Sequence, residues 1–351
     1  MTKKTRIAIV GCGAIGRVHA RAVHGFDNAR LVAVSDVKTE TAAGFAKEFS
    51  CNAYSDYAEM FDREKPDLAC VCTPSGTRLD ICQAAAERGV NLLVEKPLDI
   101  VLSRTKKIID MCEKAEVKLG CVFQLRFMPV FQNLKKSVTD GRFGRCILGN
   151  ACTICHRSQE YYDSGSWRGT LAQDGGGALM NQGIHSVDLL RWIMGDVKSV
   201  FAYKASLTHD IEVEDTVAAV LQFESGAMGT LEATTSVRHG IDKRLEIFGT
   251  EGAGIIEGEK LVLWRLQDQS EADMLSQKGS DIAHVGLSPS SPLIEDVWLH
   301  QQQIQDMIVA IQEDRSPAIP GIEGHKAVEL VLAIYESAET GKKVMLPLSS
   351  E

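Results

Sequence analysis

The sequence has no run of about 18 apolar residues, so no part of it is long enough to cross a bilayer as a helix. No stretch gathers five or more Lys and Arg, and acidic residues outnumber basic ones by 47 to 38, a formal net charge of -9. That balance excludes a polyanion-binding surface, and with it nucleic acid as a partner. No cleavage-like segment follows the short apolar stretch Ile7–Val10, which runs directly into Gly11-Cys12-Gly13, so no secretory leader is read there. The ten cysteines lack regular spacing and read as reduced thiols of a cytoplasmic protein, not as a disulfide framework. Cys152 and Cys155 form a lone C-x-x-C whose surroundings look like a strand. An offset of three then sends the two side chains to opposite faces, which favours buried thiols over a metal or redox pair. No internal repeat is visible.

What is present is the material of a globular protein with more than one core. The 351 residues exceed one ordinary domain, and 44% hydrophobic with 24% charged residues is a folded-protein composition. Short apolar runs at Arg6–Val10, Leu31–Ser35, Leu68–Cys72, Val90–Val94 and Val117–Val122 alternate with helical patterns such as Thr77–Arg88 and Leu102–Ala115. Strands alternating with helices predict a parallel, doubly wound α/β sheet, assigned to residues 1–123. Beyond Gln124 the pattern changes. A helix is expected over Pro129–Thr139, a loop-rich stretch to Gly175, and a helix over Gly177–Met194. Alternating segments follow at Ser199–Ala205, Thr216–Phe223, Met228–Thr235, Arg244–Gly249 and Gly254–Glu257, punctuated by Gly turns. They predict an α+β domain over 124–351 with a mainly antiparallel sheet, closed by helices near Ile294–Glu313 and Glu323–Thr340. The polar, Ser-rich residues 267–292 read as a mobile loop.

The segment Gly11-Cys12-Gly13-Ala14-Ile15-Gly16 follows a strand, opens a helix, and is succeeded by Asp36 at the end of the second strand. In that context G-x-G-x-x-G is a dinucleotide-binding fingerprint: glycines let backbone approach a pyrophosphate at a helix N-terminus. Asp36 stands where a carboxylate accepts hydrogen bonds from ribose hydroxyls and repels a 2′-phosphate, which favours NAD over NADP, although Arg17 and Lys38 lie nearby. Thr73, Pro74 and Ser75 end another strand on the ligand-facing edge of such a sheet and are candidates to line the dinucleotide channel; a plain turn and helix cap explains them equally well.

Glu95-Lys96-Pro97 also follows a strand at that edge. A lysine there can hydrogen-bond a substrate hydroxyl and stabilise the alkoxide formed as hydride leaves. Farther on, Asn181 and His185 are four apart on an expected helix and share a face, and a histidine beside a carbonyl-forming carbon is a proton acceptor at neutral pH. The alternative is a satisfied core histidine, with Asp188 as its partner.

Taken in order, the glycine loop, Asp36, Cys72-Thr73-Pro74, Glu95-Lys96-Pro97, Gln124-Leu125-Arg126-Phe127, Trp167-Arg168, the G-G…H-x-x-D segment and Ala333-Ile334-Tyr335-Glu336-Ser337 resemble the Gfo/Idh/MocA oxidoreductase family over nearly the whole chain. The resemblance implies a Rossmann domain followed by a domain with a large open, mainly antiparallel sheet, through whose outer face members pair as homodimers or homotetramers. It implies an NAD-dependent dehydrogenase acting on a secondary ring hydroxyl of a sugar, sugar acid or cyclitol. Lys96 would be the catalytic lysine, aimed by a cis peptide bond at Pro97, and His185 the acid/base. Glu95, Gln124 and Arg168 would lie near the cofactor. Two departures stand out: Asn181 replaces the aspartate of inositol dehydrogenase-like members, and Arg78 replaces a common histidine. The stretch His156–Thr170 with Met180–Gly183 is similar to relatives described as UDP-N-acetylglucosaminuronate 3-dehydrogenases. There Arg157, Tyr161, Tyr162, Trp167, Asn181 and Gln182 are candidates to hold an anionic pyranose, with guanidinium on carboxylate and rings on the sugar face. Two other functions remain open at this stage: a redox-neutral glycosidase or epimerase working through transient C3 oxidation, and a non-enzymatic NAD-sensing regulator.

Overall fold

The computed structural model describes residues 4–267 and 297–349. They form two compact units: residues 4–124 with 297–326, and residues 125–267 with 327–349. A single boundary at 123/124 leaves out this return of the chain to the first unit. Apart from Gln267, the segment expected as a mobile loop lies outside the described residues. The helices are α1 (Ala14–His24), α2 (Thr39–Phe49), α3 (Tyr57–Glu64), α4 (Arg78–Ala86) and α5 (Leu102–Lys114). They continue as α6 (Pro129–Thr139), α7 (Gln159–Asp163), α8 (Ile184–Met194), α9 (Trp298–Gln312) and α10 (Gly321–Thr340).

In the first unit, β1 (Thr5–Val10), β2 (Ala29–Ser35), β3 (Asn52–Tyr54), β4 (Leu68–Val71), β5 (Asn91–Val94) and β6 (Leu119–Cys121) form one parallel sheet in the order β3-β2-β1-β4-β5-β6. Helices cover both faces of such a sheet, so its strands read as unbroken apolar runs. Ile7, Ala8 and Ile9 have no exposed surface. From the return segment, Ile304, Met307 and Ile308 of α9 join the same core as Ile7, Ile9 and Leu93; each such side chain contributes about 1.5–3 kcal/mol by leaving water. The strand order reverses between β1 and β4, and the crevice at that switch point, outside the strands' C-terminal ends, is where such sheets bind ligands.

The second unit holds β7 (Cys146–Ile154), β8 (Val197–Ala205), β9 (Thr216–Phe223), β10 (Met228–Thr234), β11 (Arg244–Gly249), β12 (Gly252–Glu257), β13 (Lys260–Leu266) and β14 (Val344–Met345). Their order is β13-β12-β11-β7-β10-β9-β8-β14, antiparallel throughout except for the parallel pair β7–β10. β9 shows why one face is covered: Val217, Ala219, Leu221 and Phe223 are buried, while Ala218, Val220 and Gln222 point out. Two sequence expectations change here. The loop-rich stretch before Gly175 contains β7, and the helix expected over Gly177–Met194 opens with a π turn, Ala178–Gly183, before α8. The π turn has outside partners for its first N–H groups. Glu214 accepts from Gly177 (2.9 Å) and Leu179 (2.8 Å), and the Tyr335 hydroxyl accepts from Met180 (3.2 Å).

Candidate active site

At the end of β1 the chain turns through Gly11 at φ +100°, a conformation L side chains rarely adopt, and a Cβ there would lie 2.8 Å from the Cys72 backbone. A Cβ on Gly16 would strike the Gly11 carbonyl, whereas one on Gly13 would meet nothing within 4 Å. The open side is therefore at Gly13, the N-cap of α1. That helix has no side-chain cap and no acidic residue in its first turn, so its N–H groups and dipole face a site suited to an anion. Cys12 is buried, and burial with the nearby Asp36 pushes its thiol up to about 12, which keeps it neutral. Asp36 accepts N–H bonds from Cys12 and Lys38, each 2.9 Å, one on each carboxylate oxygen. Arg17 is ion-paired to Glu48. At the neighbouring strand end Thr73 Oγ1 is buried without a hydrogen-bond partner among the described residues, as is Gln124 Oε1; Ser75 is buried in a short 3-10 turn after Pro74. Buried orphan polar atoms are costly unless a ligand completes them. Together, the open glycine loop, the uncapped helix and these atoms fit a dinucleotide.

Lys96 follows β5, and its bond to Pro97 is cis. Its neighbour Glu95 turns inward: the side chain is buried, with Oε1 3.0 Å from His19 Nε2 and Oε2 accepting the Lys96 N–H at 3.1 Å. Glu95 thus grips the loop through its side chain.

In the second unit, His185 is buried in the first turn of α8. Asp188, considered as its partner, gives both carboxylate oxygens to Arg126 at 2.8 and 2.6 Å. Asn181 donates to Asp174 (2.7 Å) and accepts from Gln182 (3.3 Å), and Gln182 accepts from Arg157 (2.9 Å). Tyr161 carries two guanidinium groups, with Arg157 5.3 Å and Arg168 4.3 Å from its ring centre. Arg168 also lies 4.4 Å from the centre of the Trp167 ring and donates to the Tyr161 hydroxyl at 2.7 Å. Among the described residues the hydrogen bonds of both arginines end on neutral acceptors: the His156 carbonyl, the Gln182 amide oxygen and the Tyr161 hydroxyl. Tyr162 serves differently. It is buried, its hydroxyl bonds Thr235 at 2.8 Å, its ring meets His209, and burial raises its phenol well above the usual range. The structure thus gathers Arg157, Tyr161, Trp167, Arg168, Asn181 and Gln182 on one surface and sets Tyr162 beneath it. Asp174, which anchors Asn181, was missed in the sequence; its position directly before Gly175-Gly176-Gly177 was the available signal.

Comparison with known proteins bears on both units. Residues 5–123 match the oxidoreductase family with an NAD-binding Rossmann fold, and residues 131–254 match the GFO/IDH/MocA C-terminal domain. The WlbA dehydrogenase from Bordetella pertussis, solved with NADH and UDP-GlcNAcA, superposes with a TM-score of 0.88 at 31% identity, covering 99% of this chain and 100% of that one. The WlbA enzyme of Chromobacterium violaceum, in complex with the same two molecules, gives 0.89 at 30% identity over 100% and 98%. A myo-inositol 2-dehydrogenase of Thermotoga maritima is 28% identical over 97% of this chain and 98% of its own. With both units matched by one family's models, and relatives aligned end to end, the chain belongs to the GFO/IDH/MocA family and is an oxidoreductase with an NAD-binding Rossmann fold.

Proposed function

We propose that this enzyme oxidises a secondary ring hydroxyl of an anionic sugar, of the sugar-acid or nucleotide-sugar class, with NAD as acceptor. The observation that carries the substrate class is the pair of guanidiniums on Tyr161, half-buried and met only by neutral acceptors among the described residues. Two cations held on one ring favour a ligand that brings its own negative charge. The WlbA complexes, which hold UDP-GlcNAcA, support the same reading. NAD, when bound, would supply the hydride acceptor for the ring carbon. Lys96 donates a hydrogen bond to the substrate oxygen and stabilises negative charge there, His185 takes the hydroxyl proton, and Asn181, fixed by Asp174 and Gln182, orients a neighbouring hydroxyl. Asp36 and the Arg17–Glu48 pair support NAD over NADP, because no free cation of that pair is left for a 2′-phosphate.

The test is NADH formation against a panel of UDP-GlcNAcA, free uronic acids, neutral aldoses, inositols and glycosides. An anionic sugar is expected to turn over best, and Arg157→Met to raise its KM by about 10- to 100-fold, the worth of one charge-assisted bond. Neutral sugars turning over as well as anionic ones, with R157M unchanged, would overturn the substrate class. Glycoside cleavage without NADH accumulation would identify a redox-neutral route instead.

We infer further that the enzyme is a homodimer, or a dimer of dimers, built on the open face of the eight-stranded sheet. Tyr203, Val220 and Met228 are 70%, 58% and 60% exposed on adjoining strands, an apolar surface of the kind that marks an interface. Among the described residues no helix is long and apolar enough to cross a membrane. Ten free thiols support a cytoplasmic enzyme.

A further inference from the structure

We propose that Lys96 is aimed by a buried two-sided clamp, with Arg78 on one side and the His19–Glu95–His300 group on the other, so that Arg78, Glu95 and His19 are positioning residues. The inference rests on the reading of Lys96 as the group that handles the substrate oxygen.

A lysine ammonium sits on a flexible four-carbon stem, and its placement depends on how firmly the backbone beneath it is held. Three polar groups of that backbone are fixed by side chains. Arg78, 4% exposed at the start of α4, donates through one terminal nitrogen to the carbonyls of both Glu95 and Pro97. Its Nε and other terminal nitrogen donate to the Thr73 carbonyl at 3.2 and 3.0 Å. One guanidinium therefore ties the loop after β5 to the loop after β4, from both sides of Lys96. The Lys96 N–H, which lies between those two carbonyls in the chain, is taken by Glu95 Oε2. Glu95 is held in turn by His19 Nε2 on its other oxygen at 3.0 Å, and His300 Nε2 lies 3.8 Å from the same oxygen. The three side chains have exposures of 0%, 4% and 2%, and the two imidazoles meet edge to face, 5.3 Å between centres.

The charges are consistent with this role. Burial alone would push the Glu95 carboxyl up, but the two imidazoles hold it well below the usual range, so it is an anion. Burial pulls the His19 imidazole below its usual range despite Glu95, so a neutral ring donates through Nε2. The buried anion is balanced by the Arg78 guanidinium, which is always charged. An Arg at this position is the departure noted from the sequence, and a histidine could not reach three carbonyls in this manner.

His19, Glu95 and His300 are also a possible metal-ligand set, with donor atoms within 4.8 Å of one another. The 3.0 Å His19–Glu95 contact is already a normal hydrogen bond, which favours a proton there over an ion.

The test compares Glu95→Gln, Arg78→Lys and Arg78→Ala with Lys96→Ala, using NAD and the best substrate of the panel. Misplacing a reacting group by about 1 Å costs on the order of 100-fold, so R78K and E95Q are expected to lose about that factor in kcat with KM for NAD unchanged. Added guanidinium should restore part of the activity of R78A, a rescue that a merely structural residue would not show. If K96A keeps full turnover, the assigned role of Lys96 fails, and the clamp has no function to serve. If K96A is inactive while R78K and E95Q keep kcat within about threefold, the clamp alone is overturned. Zinc at one equivalent per purified chain, removable by chelator, would also overturn it by making the group a metal site. Should the buried substitutions unfold the chain, hydrogen exchange on the wild type decides. A Lys96 amide that exchanges only by global unfolding supports the clamp, and exchange within seconds refutes it.

Discussion

Asp36 holds two backbone N–H groups, of Cys12 and Lys38, one on each carboxylate oxygen, and each oxygen keeps further acceptor capacity. The same carboxylate therefore shapes the glycine turn and has acceptor capacity left for the two ribose hydroxyls proposed as its partners. Asp36→Ala is expected to raise KM for NAD by about 10- to 100-fold, since bonds to a charged group are worth about 1.5–3 kcal/mol. NADP, no longer repelled, should gain relative to NAD; steady-state KM for both cofactors checks this, and an unchanged NAD value refutes it. At this scale the sequence was readable for position, since Asp36, Lys96 and the glycines do stand at strand ends. It was not readable where a role depends on what the fold brings alongside. Nothing in Glu95-Lys96-Pro97 indicates that the glutamate turns inward, because its partners His19 and His300 are 76 residues before it and 205 after it, by subtraction of their numbers.

Among elements, the turn between β8 and β9 ties the surface around Arg157 to the sheet. Asp215, fully buried, accepts the N–H groups of Leu207, Thr208 and His209, the hydroxyls of Thr208 and Thr216, and His209 Nδ1 at 3.0 Å. His209 Nε2 then meets the Arg157 carbonyl at 2.8 Å, so the carboxylate indirectly holds the backbone of a candidate substrate arginine. Burial opposes ionisation of Asp215, but these donors outweigh it and depress its folded pKa. A depressed carboxyl stabilises fully above its unfolded value, about 3.9, and loses that contribution as pH falls toward the folded value. Asp215→Asn is expected to cost about 3 kcal/mol at pH 7, and the gap to wild type should narrow as pH falls below about 4. Urea midpoints at both pH values measure it; a gap that widens in acid would refute the assignment. The same scale shows why the first half of β7 escaped the sequence, which reads a strand only around Cys152. A Cβ on Gly149 would lie 2.8 Å from the Met194 side chain, so glycine is there to let α8 lie close on the strand. Only the packed partner makes that strand intelligible. By contrast, β9 alternates cleanly and was read to its ends.

At the scale of the molecule, two units with separate cores account for the length, and the first closes only when α9 returns to it. The outer face of the second sheet is left to be explained. Antiparallel sheets commonly show water a polar face. Here Leu148, Met228, Val220 and Tyr203 run across β7, β10, β9 and β8, the first two directly opposed in register. Lysines at the centre of that patch would place like charges against each other across a two-fold axis. The double variant Val220→Lys, Met228→Lys is therefore expected to elute as a monomer in light-scattering chromatography where the wild type is a dimer or larger. The glycine loop and Asp36 belong to the other unit, so NAD affinity should stay within about twofold. A wild-type chain that is monomeric at tens of micromolar would refute the interface, and the exposed apolar residues would then have to face some other partner.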